Sequence, residues 1–545
     1  MKKMTLSLVI LTSMILQVMA TGLVTNTNQS AMFTRLQNRN ASTGIDAVYY
    51  NPAGLTKLGN GFFVSLNNQT ISQTKTVLTD FRFLNGVPRE YVGDVSAPLY
   101  PGVYAAYNFG NLSLSAGFNP IGGGGGAKYK TGLPSFEMPI SAIPASLTAA
   151  GIPTTQYSAD IYFEGSSIYF GYQFNVAYKL NEQLSIGAGI RMVSANNTYK
   201  GSIENIMINP NRPGLGNGSP VLATNFFTSA NKMFKDLAAG ATKTSADINA
   251  AITAGILPSA TPVTMFMATM SDADKANFTQ MLGAAGYTDL TGLTVENVAN
   301  ILAGAVPVFN GTADVMAGNA AATQNTYADV EEKGTGFTPI LSINYSPSDK
   351  FNFSLKYEFK TNLKLKTTVK DNKGAGIFKD GEEIVADMPA FLAIGAEVKP
   401  IERLSIAVTF NTFFDKKVDY SGRNKSGDKM IDRNYLEYGL GVEYGITEKF
   451  RLSAGWLGTN TGILPAYQND QRFSSNSNSF GFGAAYRISP MIDINIGGQY
   501  SINAKYDKQY PYTNLLISSQ FYNETYGKKT MIFAIGLDFY FAKKK

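Results

Sequence analysis

The segment Met531-Ile532-Phe533-Ala534-Ile535-Gly536-Leu537-Asp538-Phe539-Tyr540-Phe541 decides the fold of this chain. Its odd-numbered side chains are all apolar, whereas the even-numbered positions include Ala534, Gly536 and Asp538. Because side chains of a strand alternate between its two faces, this segment predicts a strand with one apolar and one polar face. The same alternation recurs in 491–500 and 351–359.

A soluble β-sandwich also contains alternating strands, but two features favour a membrane barrel instead. The apolar face carries no charge over about ten residues, which is the length that a tilted strand needs to cross a bilayer. Aromatic residues also cluster at strand ends, as in the interfacial girdles of membrane barrels, at Phe109, Tyr178, Phe351, Phe450 and Phe541.

About fourteen such segments follow one another, and the connections between them alternate between short and long. A barrel with short periplasmic turns and long outer loops requires this alternation, whereas a sandwich does not. The sequence therefore predicts an all-β fold, a transmembrane antiparallel barrel of about fourteen strands. We place the strands near 61–71, 100–109, 111–119, 166–180, 183–199, 334–346, 350–368, 389–399, 403–418, 434–445, 449–459, 477–488, 491–504 and 530–541.

The N-terminal residues predict export to the outer membrane of a Gram-negative bacterium. Lys2 and Lys3 precede the apolar run Leu6–Val18, which is short for a membrane-spanning helix and ends at a small-residue cleavage site before Thr21. We therefore assign 1–20 as a signal peptide, 21–60 as an N-terminal hatch or plug, and 61–545 as the multi-pass barrel. The barrel includes an extracellular helical insert at 200–333.

The composition excludes much catalytic chemistry. The 545 residues contain no Cys and no His, which removes disulfides, thiolate metal sites, the usual zinc ligands and Ser-His-Asp catalysis. We predict that the protein is not an enzyme and uses no cofactor or metal. The net charge of +6 is too small to indicate a nucleic-acid partner.

The stretch from Arg39 to Leu55 is too polar, and too interrupted by Gly44, Pro52 and Gly54, to be a membrane strand. It lies between the signal segment and the first predicted strand. A polar, irregular segment at this place in the chain predicts a plug inside the barrel.

The insert at 200–333 has helical rather than strand periodicity. We predict helices over 227–256, 272–287 and 294–305, with Ser271 as an N-cap. These helices would cover the outer mouth of the barrel. Their apolar residues could form a small core or line a groove for a hydrophobic ligand; they are Met265, Met267, Met270, Phe278, Met281 and Leu282.

The third predicted strand, 111–119, runs into a sequence that disfavours regular pairing. Pro removes a ladder donor and Gly permits bulges, so strand pairing should fail there, at Pro120, Ile121, Gly122, Gly123, Gly124, Gly125 and Gly126. A flexible outer loop is the alternative explanation of the same residues.

Charged residues on the polar faces should point into the lumen and neutralise one another, because buried charges require partners. They are Arg191, Lys356, Arg451, Arg487, Glu358, Glu397, Glu437 and Glu443. Alternatively, Arg191 or Lys356 could bind the carboxylate of a ligand.

With Asn51-Pro52-Ala53 behind a signal segment and ahead of the first strand, the chain resembles the FadL-type long-chain fatty-acid transporters. The resemblance implies passive uptake of fatty acids or other hydrophobic compounds. The ligand would be captured by the outer loops, pass a movable hatch, and leave sideways where the third strand is kinked. It also implies that Asn51, Pro52 and Ala53 maintain the hatch fold.

Two other functions fit a barrel: a general aqueous porin, which needs no hatch, and a surface adhesin that uses the helical insert. For a transporter we expect hydrophobic small molecules and outer-membrane lipid as partners, and a monomeric barrel.

Overall fold

The computed structural model describes residues 26–373, 378–418, 429–514 and 517–542, so the predicted signal peptide lies outside the described residues. The described residues contain a closed antiparallel barrel of fourteen strands, which confirms the predicted fold. The strands are β1 Gly61–Thr79, β2 Arg89–Phe109, β3 Leu112–Tyr129, β4 Tyr157–Lys179, β5 Leu184–Ile208, β6 Thr326–Ser348, β7 Phe351–Glu358, β8 Phe391–Ile401, β9 Leu404–Phe413, β10 Tyr435–Gly445, β11 Phe450–Asn460, β12 Ser477–Ser489, β13 Ile492–Asn503 and β14 Ile517–Ala542.

The barrel closes where β14 pairs with β1, with Phe541 opposite Phe62 and Leu537 opposite Leu66. Closure matters because an open sheet edge would leave backbone groups unpaired in lipid. Phe62, Leu66 and Phe541 are exposed on the outer wall, whereas Asp538 on the inner face is buried. The apolar exterior and the closed ladder are those of an outer-membrane barrel.

Several predicted strand ends are wrong, because the apolar alternation marks only the part of a strand that crosses lipid. The predicted third strand ends at 119, but β3 continues through the glycine run to Tyr129. The predicted strand 350–368 is also interrupted: β7 ends at Glu358, and a separate strand, Lys364–Asp371, pairs with β6. Three further short strands extend the outer wall at Val221–Leu222, Glu383–Val385 and Tyr506–Asn514.

Helices occupy the hatch and the outer loops. The hatch contains α1 Ala31–Leu36, α2 Ala47–Tyr50 and a 3-10 helix Pro52–Leu58. In the outer loops are α3 Pro134–Ser141, α4 Ile143–Ala149, α5 Ala223–Thr253, α6 Val263–Ala268, α7 Asp272–Ala284 and α8 Val295–Ala322.

The helical insert lies between the end of β5 and the start of β6, at 209–325, which is shorter than the predicted 200–333. Ser271 caps α7 by accepting a hydrogen bond from the Asp274 amide, as predicted. Helix α8 is long and apolar enough to span a membrane by length and composition. In the fold it packs along α5, with the Phe234 and Phe309 rings 6.4 Å apart.

Candidate functional site

The hatch is organised around the buried carboxylate of Asp46. Arg39 binds this carboxylate with two nitrogens, each 2.7 Å from an oxygen, and Ser42 and Ser30 donate hydrogen bonds to it. Ser30 also caps α1 through the Phe33 amide. The polar stretch that is unsuited to a membrane strand therefore folds around the Asp46 carboxylate, whose oxygens are both hydrogen-bonded.

Asn51, Pro52 and Ala53 join the hatch to the barrel wall. The Asn51 amide nitrogen donates to the Ser42 carbonyl at 3.0 Å and to Asn344 Oδ1 of β6 at 2.7 Å. The Ala53 amide donates to Ser342 Oγ, also on β6, at 3.0 Å. Pro52 begins the 3-10 helix, a position at which its missing N–H costs nothing.

The hatch fits against the wall because inward positions on the strands are glycines. A Cβ on Gly455 would lie 1.8 Å from the Leu36 carbonyl oxygen, and one on Gly481 would lie 2.3 Å from the Thr34 carbonyl oxygen. These glycines could not be singled out from the sequence, because only the fold shows which of them face the hatch. Period-two alternation could have placed them on the inner face, but not against α1.

We expect Asp46→Asn to loosen the hatch without unfolding the barrel. Arg39 would lose its carboxylate in a buried site, and breaking a buried ion pair costs about 3–5 kcal/mol. Hydrogen exchange of residues 26–60 should speed up while the strands stay protected. The double variant Arg39→Met/Asp46→Asn, which removes both charges, should recover part of the protection. Unchanged exchange in Asp46→Asn would contradict the central role of this ion pair.

Arg191 and Lys356 meet at one carboxylate in the lumen. Arg191 contacts Glu358 at 2.6 Å and also donates to Gln173, while Lys356 contacts Glu358 at 2.7 Å and donates to the Tyr49 carbonyl. Both cations lie over the Tyr49 ring of the hatch, at 4.9 and 4.5 Å from its centroid. This cluster carries one more positive than negative charge and holds the hatch through Tyr49.

The other predicted luminal charges are also engaged by protein groups. Arg451 and Arg487 share Asp493, at 3.0 and 2.7 Å. Glu443 pairs with Arg35 of the hatch, a partner that sequence analysis missed. Glu437 accepts a hydrogen bond from Asn411, and Glu397 accepts one from Ser405.

The wall of the barrel is interrupted between β2 and β3. Val95 pairs with Ala127 and the next pair is Val103 with Phe118, so 96–102 and 119–126 lack cross-strand partners there. On its other side, β3 stays paired to β4 through two register shifts, at 120–122 and 123–125. Pairing therefore fails on one side of the Pro-Gly run and persists on the other, in a strand rather than a flexible loop.

Gly123 is indispensable to this irregularity. Its φ of +83° is unfavourable for other residues, and a Cβ would lie 1.9 Å from the Ser167 carbonyl oxygen. The β3–β4 side of the interruption is thus fixed by backbone contact, which leaves the β2 side as the open one.

The start of the hatch lies against this interruption. Tyr100 of β2 reaches across it, donating to the Pro120 carbonyl at 2.7 Å, and Asn26 donates to the Tyr100 hydroxyl. Asn119 donates to the Gln29 side chain at 2.7 Å. The hatch and the wall gap are therefore in direct contact, and Ile121 packs into the apolar cluster of the hatch.

Outside the barrel, α5, α6 and α7 enclose a groove with a volume of about 1160 Å³. Met270, Phe278 and Met281 of the predicted ligand residues line it, whereas Met267 only packs against the same apolar core. Charges at the rim are paired along α5, Lys232 with Asp236 and Lys243 with Asp247. The groove therefore combines apolar side chains with paired charges and with polar residues such as Asp274 and Asn277.

Comparisons with known proteins identify the fold. No protein-family model matches the chain, and no curated protein matches it in sequence. The crystal structure of a Pseudomonas aeruginosa FadL homologue superposes with a TM-score of 0.57 at 11% identity, over 95% of this chain and 100% of that one. The Pseudomonas putida toluene transporter TodX gives 0.49 at 14% identity, over 92% and 95%. This chain is an outer-membrane barrel with the FadL fold.

Proposed function

We propose that this protein is a passive channel for the uptake of long-chain fatty acids or other hydrophobic compounds. The observation that carries the proposal is the contact between the buried hatch and an interrupted wall, at Tyr100, Asn26 and Pro120. A general porin needs an open lumen, and an adhesin needs neither feature. The FadL homologue, whose fold this chain matches over the whole of that protein's length, supports the proposal.

The route would begin in the groove of the helical insert. Its apolar lining residues, among them Met270, Phe278 and Met281, suit an alkyl chain or an aromatic ring, since such ligands gain affinity mainly by burying apolar surface. The ligand would then descend toward the hatch. Displacement of the hatch would free the inner side of the gap between β2 and β3, and the ligand would leave sideways into the membrane.

Arg191 and Lys356 remain candidates for binding a ligand carboxylate. Both already bind Glu358, so a ligand acid would have to compete with that side chain or use the excess positive charge. Tyr49 covers both cations, so hatch movement would uncover them.

Uptake of labelled oleate into liposomes containing the purified protein tests the proposal. We expect protein-dependent oleate uptake together with a low ion leak, and removal of residues 21–50 should change both. High ion conductance without oleate selectivity would identify a porin. Neither uptake nor conductance, with retained binding to a surface partner, would favour an adhesin.

Truncating the groove should slow capture of a hydrophobic ligand. Met233→Ala/Met270→Ala removes two half-buried side chains from the groove lining. Full burial of a Met contributes about 1.5–3 kcal/mol, so we expect ligand affinity for the groove to fall by about 1–2 kcal/mol. The control is Met265→Ala, a 64% exposed position outside the groove lining. Equal initial uptake rates for both variants would argue against capture in the groove.

A further inference from the structure

Two lysines face each other across the seam that closes the barrel. Lys75 of β1 lies directly opposite Lys528 of β14 in the register. Both alternate with buried inward residues, Val77 on β1 and Tyr526 on β14, so both point into the barrel, and both are half-buried. Lys529, the next residue, faces outward just beyond the apolar band that begins at Met531. The pair therefore lies at the outer end of the lumen.

Neither lysine has an ion pair or a hydrogen bond to any residue that the structure describes. This distinguishes them from Arg35, Arg191 and Lys356, each of which contacts a carboxylate. Glu524, also inward on β14, instead accepts a hydrogen bond from the Tyr526 hydroxyl. Like charges directly opposite each other on neighbouring strands are destabilising, so an anion bound between the two lysines would stabilise the pair.

The surroundings favour an amphiphile over a hydrated ion. Lys75 Nζ lies 5.9 Å from the centroid of the Phe473 ring, which stacks on Tyr526 at 5.0 Å. Burial, followed by the neighbouring ammonium of Lys528, lowers the pKa of Lys75 to about 8. Burial also lowers the pKa of Lys528. The Phe473 ring, stacked on Tyr526, thus places apolar surface beside the Lys75 ammonium group.

We propose that Lys75 and Lys528 bind the carboxylate headgroup of a transported acid, which makes fatty acids rather than neutral hydrocarbons the preferred substrate class. Two ammonium groups would each donate to one carboxylate, in charge-assisted hydrogen bonds. This inference rests on the proposed uptake function and names its substrate class.

The position of the lysines relative to the gap agrees with this assignment. Lys75 lies opposite Gly93 of β2, and Gln73 lies opposite Val95, the last residue before the interruption. Val95, at the start of the interruption, is therefore two residues along the strand from Lys75, roughly 7 Å, and one strand across, roughly 5 Å. An acid held by the lysines would have its alkyl chain within reach of the gap.

The test compares octanoate with octan-1-ol, which have the same chain length, by calorimetric binding to the purified full chain in neutral detergent. In Lys75→Gln/Lys528→Gln we expect octanoate affinity to fall by roughly tenfold or more, with octanol affinity unchanged. Lys529 is a neighbouring lysine that faces outward, so the Lys529→Gln variant should bind octanoate and octanol with the same affinities as the unmodified protein. Lys75→Arg/Lys528→Arg keeps both charges and should retain octanoate binding, which separates loss of charge from misfolding.

Each outcome decides one question. If the double variant Lys75→Gln/Lys528→Gln loses affinity for octanoate and octanol equally, or loses affinity for neither, the proposed anion site is wrong. If acetate raises the melting temperature of the unmodified protein as much as octanoate does, the lysines bind small anions and the amphiphile assignment fails. If the unmodified protein binds neither octanoate nor octanol, the proposed uptake function itself is contradicted.

Discussion

A Gly455→Val variant is expected to conduct ions continuously. Any Cβ at this position would lie 1.8 Å from the Leu36 carbonyl oxygen and 2.3 Å from its carbonyl carbon. Both atoms belong to the backbone of α1 and its end, so no side-chain rotation can relieve the clash. The hatch must move, because β11 is held on both sides by the barrel ladder. Planar-bilayer recording should show conductance rising from the closed level toward that of protein lacking residues 21–50.

The matched control for this variant is Ala454→Val, which adds a side chain of the same size one residue away. Ala454 faces outward and is exposed, so the added methyl groups enter lipid and the hatch is untouched. Its conductance should equal that of the unmodified protein. If Gly455→Val stays closed while folding normally, the hatch does not depend on this contact for its position.

Attaching a bulky methanethiosulfonate reagent, which forms a mixed disulfide, at Ala97→Cys is expected to abolish most hydrophobic uptake. Ala97 lies in the part of β2 that has no partner on β3, so an adduct there would occupy the opening. The chain contains no cysteine, and labelling is therefore confined to the introduced residue. Uptake of labelled oleate should fall on labelling and recover when a reductant removes the adduct.

Ala105→Cys is the control for labelling. It lies on the same strand, half-exposed, where β2 and β3 are fully paired. The same adduct at that site should leave uptake unchanged. Equal uptake before and after labelling of Ala97→Cys would rule out exit through this gap and would favour a path along the lumen of the barrel.

Both experiments examine the same physical connection. The hatch contacts the gap through Asn26 and Gln29, and contacts the luminal cations through Tyr49. Displacement of the hatch by Gly455→Val should therefore also disturb the hydrogen bonds of Tyr100 to Asn26 and to the Pro120 carbonyl across the gap. Faster oleate uptake in that variant, blocked again by an adduct at Ala97→Cys, would show that the two features act in series.

The sequence by itself determined the barrel. Alternation in segments such as 531–541 decides which side chains meet lipid, and a strand flanked by lipid must have its partners on both sides. The sequence also located the irregular strand, because Pro120 cannot donate to a ladder and Gly123 can adopt a positive φ. The polar Arg39–Leu55 segment is unsuited to crossing a bilayer as a strand, and on that ground the sequence predicted a plug.

Tertiary structure decided the contacts between segments far apart in the chain. No local pattern shows that Gly455 accommodates Leu36, that Arg35 pairs with Glu443, or that the wall opens toward β2 rather than β4. Strand ends beyond the lipid were also undetermined, because the outer face there is in water and its alternation fades. Lys75 and Lys528 are 453 positions apart, yet barrel closure places them opposite each other. Periodicity assigns a residue to a face, whereas register and closure determine which residue it meets there.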